Sequence, residues 1–167
     1  MSRWVGAAPA LLFAALGLGL GALAGVAWQA VVVLPSYTIG AQGGASTTER
    51  GLAGYIGGDA WFVVCALVAG IVLGVLGWRL FGRTGWPVVP LVVLVTVAAG
   101  LVCWDVGQHL GPGPFEARLA AAGPGDVVPI ELTVRARAAL VTWPLFGIIP
   151  VLLAASLGRD DEETAKP

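Results

Sequence analysis

Apolar residues come in four long blocks along this chain, with the polar residues gathered between them. From Arg3 to Glu49 no Asp, Glu, Lys or Arg interrupts the sequence. The first block, residues 7–34, is longer than the roughly 7–15 apolar residues of a secretion signal, so it reads as an uncleaved helix. It ends at Pro35, which lacks an amide donor and disfavours helix in the residue before it. Further blocks at 60–78, 88–104 and 138–157 are each close to the ~20 residues that cross a bilayer as a helix. The spacing therefore predicts an all-α integral membrane protein of four transmembrane helices in one domain, residues 1–157, followed by a charged, disordered tail at 158–167.

The connections carry the turn signals. Ser36–Ile39 and Leu52–Ile56 are candidate strands of a short hairpin around the Gly/Ser/Thr-rich stretch 40–48. Asp59 stands where a carboxylate meets the unpaired amides of a helix start, as N-cap or first-turn residue of the second span. The 79–87 connection is short, so spans two and three form a helical hairpin. Gly111-Pro-Gly-Pro114 stops the third helix, residues 115–122 predict a short surface helix, and residues 126–137 lead back to the membrane. Pro144 and Pro150 predict kinks in the fourth span.

Composition narrows the class further. Hydrophobic residues make up 57% and charged residues 11%, against about 25% charged in soluble domains. A net charge of -1 gives no footprint for nucleic acid. Of the seven tryptophans, Trp4, Trp61, Trp78, Trp86 and Trp104 fall at span ends, where indoles favour the membrane interface. Trp28 and Trp143 lie about two turns inside. With both termini inside, Arg3, Arg79, Arg83, Arg159 and Lys166 are cytoplasmic and Arg50, Arg118, Arg135 and Arg137 are outside. The positive-inside rule and the acid-free 79–87 loop favour that orientation in a bacterial plasma membrane. Cys65 and Cys103 read as small apolar residues; their depths leave a disulfide open but not preferred.

Two glycine series stand out. Gly17, Gly21 and Gly25 share one helix face, and Gly70 and Gly74 share another; such faces let a second helix approach closely. The run Trp104-Asp-Val-Gly107-Gln-His-Leu110-Gly111-Pro112-Gly113-Pro114 resembles the hallmark of an uncharacterised family of actinobacterial four-span membrane proteins. Gly58-Asp59-Ala-Trp-Phe62, Gly77-Trp78 and Trp143-Pro144 add to it. The resemblance implies a fold and a compartment and brings no established activity.

Candidate chemistry is sparse. The polar groups gather at the outer span ends: Asp59, Asp105, His109, Glu131, Arg135 and Arg137. Asp105 and His109 are four apart and share a face if the helix continues that far, the arrangement of a proton relay. One His and scattered carboxylates do not make a metal site, and neither a nucleophile elbow nor a Walker-type phosphate loop is present, so no cofactor is expected. The span interiors hold Gln29, Thr96 and Thr142 as their polar side chains and no charge, which argues against an ion-coupled carrier acting alone. Three functions follow in order: a non-catalytic structural or accessory membrane protein, a small transporter or lipid-handling component, and an enzyme using Asp105 and His109. The expected partners are membrane lipids, with another membrane protein or a second copy beside them.

Overall fold

The computed structural model describes residues 6–42, 44–47 and 49–164, with the backbone alone at 45, 49–53, 55 and 158–164. The elements run α1 (Ala7–Val31), β1 (Ser36–Ile39), β2 (Ala45–Ser46), α2 (Glu49–Phe81), α3 (Val88–Leu110), α4 (Phe115–Ala120), β3 (Val127–Pro129) and α5 (Thr142–Thr164). Single 3-10 turns at Gly82–Thr84 and Arg137–Val141 precede α3 and α5. Four of the helices are long and apolar enough to cross a membrane.

The helices form a four-helix bundle in which α1 packs chiefly on α3 and α2 on α5, with α3 also touching α5. The two glycine series make those contacts. Gly17, Gly21 and Gly25 are buried against α3. A Cβ on Gly21 would collide with the Ala99 backbone, and one on Gly25 would lie 2.7 Å from the Cys103 carbonyl oxygen. Gly70 and Gly74 do the same against α5. There Gly147 in turn makes room for Thr96 of α3, whose Cγ2 would lie 2.6 Å from a Cβ on Gly147. Small residues on facing helices bring backbones together and multiply dispersion contacts, the main attraction between helices in lipid.

Large side chains fill the space this leaves. Trp28, Phe62 and Trp143 are fully buried and form a spine: Trp28 and Phe62 meet edge to face at 5.2 Å, and Phe62 and Trp143 lie tilted to one another at 5.9 Å. α3 receives both indoles on glycines seven residues apart, Trp143 over Gly100 and Trp28 over Gly107. At the far end Phe13 and Phe81 close the core edge to face at 5.6 Å.

Several element limits differ from the sequence expectation. Residues 52–56 belong to α2, which begins at Glu49, so the hairpin's return strand is β2 instead. A helix satisfies its own backbone, and Gly54 lets this one pass close to Pro35, 3.1 Å from a Cβ placed there. β1 pairs with β2 on one side and β3 on the other, giving a three-stranded antiparallel sheet. α3 runs past Trp104 to Leu110 because nothing breaks it before Gly111, whose amide donates to the Gly107 carbonyl. Pro144 sits in the first turn of α5, where a missing amide costs little, and Pro150 is the proline inside the helix. α5 continues through residues 158–164, where disorder is expected from the charged sequence.

Candidate functional site

The polar residues and the sheet lie at one end of the bundle, which we name the cap end; the 82–87 turn marks the hairpin end. The cap is built around residues 126–136. β3 pairs with β1, and the pairing extends as Ile39 donates to Asp126 (3.0 Å) and Ile130 donates to the Pro35 carbonyl (2.9 Å). Beyond β3 the chain continues without regular structure but keeps a strand's two-residue alternation. Val128, Ile130, Leu132 and Val134 are buried, whereas Val127, Glu131 and Arg135 are exposed. The segment is thus a strap with its apolar side down on the bundle. Tyr37 stacks obliquely on Phe115 at 5.5 Å, tying α4 to the sheet.

Two side chains fasten the strap. Gln108 Nε2 donates to Thr133 Oγ1 at 2.7 Å. Asp59 accepts two successive amides, Arg135 N–H on Oδ1 at 3.0 Å and Ala136 N–H on Oδ2 at 2.9 Å. Asp59 is therefore not the N-cap of its own helix. It lies more than two turns inside α2 and caps another segment, the strap where it enters the 3-10 turn of Arg137–Val141. Charge-assisted bonds of this kind are about twice as strong as neutral ones.

The remaining predicted site residues separate into small groups. α3 does extend far enough for Asp105 and His109 to share a face: Nδ1 of His109 is 3.4 Å from Asp105 Oδ1 and 2.8 Å from its carbonyl oxygen. Their side chains are 69% and 76% exposed, so the pair stands in solvent rather than in a pocket and contributes little. Glu131 lines a shallow cleft of about 260 Å³ with Gln108, Thr133 and the Pro112–Pro114 turn. Arg135 meets Asp59 through its backbone, and Arg137 is exposed at the start of the 3-10 turn. Among the described residues no three His, Cys, Asp or Glu side chains come close enough to hold a metal ion. Cys65 and Cys103 are free thiols, the former 3.7 Å from the Ala24 carbonyl oxygen.

The Trp104–Pro114 run is where α3 meets everything above it. Gly107 lies under Trp28, whose indole Nε1 donates to the Gly58 carbonyl at 2.8 Å. Gly111 lies under the strap, with Leu132 Cβ 2.9 Å from the position of a Cβ. Gly113 accepts a bond from Arg118 Nε at 3.0 Å, fixing α4 against the turn. Trp104 is half-buried and Leu110 is exposed. Sequence reasoning missed Gln108 and the strap. The signal for the strap is the alternation Val128, Ile130, Leu132, Val134, which is visible in the sequence; Gln108 leaves none, since its partner is 25 residues away.

No family model, curated protein or solved structure matches this chain.

Proposed function

We propose that this chain is a multi-pass, non-catalytic structural or accessory protein of a bacterial plasma membrane, with the cap end outside and both termini in the cytoplasm. The observation that carries the reading is the filled core. Trp28, Phe62 and Trp143 occupy the bundle axis, and Gly100 and Gly107 leave no gap beside the two indoles. A conduit through one copy would need that volume open. The strap adds a lid over the same axis. The glycine faces are consumed inside the bundle, so a partner would meet the cap or the outer helix surfaces. The likeness of the Trp104–Pro114 run to a four-span actinobacterial family agrees with this reading. The test is purification of the tagged protein from native membranes in mild detergent, with mass spectrometry of what is retained. A stoichiometric protein partner supports an accessory role; a bare protein carrying only lipid contradicts it.

One observation favours lipid handling as a second reading. A groove of about 400 Å³ runs between α1 and α2, with an almost wholly apolar wall that includes Leu23, Ala24, Ala27, Trp61, Cys65 and Val68. A lipid retained in one-to-one ratio and lost on Ala24→Phe substitution would support that reading.

A further inference from the structure

At the hairpin end, α2, the 82–87 turn, the start of α3 and the last apolar turns of α5 enclose a half-open cavity of about 540 Å³. That lies within the range of about 300–1,000 Å³ typical of ligand sites. Its walls include Trp78, Trp86, Val89, Val151, Leu152 and Ala155, with Ser156 at its edge. The Ser156 hydroxyl already donates to the Leu153 carbonyl. Trp86 is 80% exposed. A large amphipathic ring held out at a helix-turn tip is the arrangement that places an indole among lipid headgroups. Trp78 is held differently, its ring packed over Gly82, 3.0 Å from the position of a Cβ there.

The charge around this cavity has one sign on the hairpin. Outside the cavity lining, Arg79 in the last turn of α2 and Arg83 in the 3-10 turn that follows are both exposed, and no Asp or Glu occurs from residue 60 to residue 104. Arginine binds phosphate oxygens in bidentate fashion where lysine offers a point charge. The acidic residues 160–163 lie roughly 6–10 Å farther along α5 than Ser156, at ~1.5 Å per residue. With a Debye length of about 8 Å at physiological salt, the nearer acids are screened only in part and oppose the two arginines.

We propose that this end of the bundle is a site for one anionic phospholipid, its phosphate drawn by Arg79 and Arg83 and its acyl chain against Trp78, Trp86, Val89 and Leu152. The apolar walls select a lipid over a free phosphate, and the paired arginines select an anionic headgroup over a zwitterionic one. The inference rests on the membrane placement proposed above.

The full-length protein is reconstituted in phosphatidylcholine vesicles containing phosphatidylglycerol, with brominated chains on one lipid or the other. Quenching at Trp86 is read as the difference between the wild type and Trp86→Phe. Per mole of brominated lipid, phosphatidylglycerol is expected to quench Trp86 at least about fivefold more than phosphatidylcholine, the effect of one of the two near-surface arginines alone. The Arg79→Gln/Arg83→Gln double variant is expected to remove that difference. Equal quenching by both lipids, or a preference that survives the double variant, overturns the site. Flotation separates the two claims: protein that floats with the vesicles but shows equal quenching loses the lipid site alone, whereas protein that does not float loses the membrane placement as well.

Discussion

Asp59 and Gly107 each do something their local sequence does not announce. Asp59 reads as a helix start, because a carboxylate before an apolar run is the usual N-cap, yet it binds amides 76 and 77 residues away. Replacing it with Ala leaves two strap amides without acceptors. Each bond to a charged acceptor is worth about 1.5–3 kcal/mol, and partial exposure lowers that here. The expected loss is about 1–3 kcal/mol, accompanied by faster hydrogen exchange confined to residues 126–137. Exchange unchanged in the strap would show that Asp59 does not hold it. Gly107 lies one turn before the end of α3, and its structural task is to leave room for the Trp28 ring. Gly107→Val would force that ring off its site and break its bond to Gly58; overpacking of this kind costs roughly 1–3 kcal/mol. Trp28 fluorescence shifting to the red would report it. By contrast, His109→Ala should change stability by less than about 0.5 kcal/mol, since the Asp105–His109 pair is solvated. A larger effect in thermal melts would mean that the pair does more than its exposure indicates.

Among the helices, the face a glycine occupies decides what it does. Gly21 is buried against the Ala99 backbone, whereas Gly19 has nothing within 4 Å of a Cβ position. Gly21→Leu should prevent α1 from docking on α3, at a cost of at least about 3 kcal/mol because backbone cannot yield as a side chain does. Gly19→Leu should be tolerated. Detergent stability of the two variants, side by side, checks this, and equal losses would contradict the packing. The spans and the glycine faces were legible because periodicity and length carry them. The element ends were less so. α2 starts eleven residues before the apolar block does, because a helix satisfies its own backbone and needs no apolar run to continue. The strap was missed, although its alternation is present in the sequence, because it has no partner strand nearby in the chain. Its pairing with β1 spans about ninety residues, and such pairings are set by tertiary contact rather than local preference.

For the molecule as a whole, the bundle is closed along its axis by the aromatic spine and covered at one end by the sheet and strap. Purified protein in planar bilayers should therefore show no ion conductance, and Trp143→Ala, which opens volume beside Gly100, should lower stability by about 3–5 kcal/mol rather than create a pore. Placement in a membrane underlies all of this, and it has a direct measurement. In a variant with Cys65 and Cys103 replaced by Ala, single cysteines are placed at Glu131 in the cap and at Thr84 in the hairpin turn. Intact cells are then treated with a membrane-impermeant maleimide. Position 131 is expected to label from outside and position 84 only after the cells are opened; labelling of both positions from the same side would overturn the transmembrane arrangement.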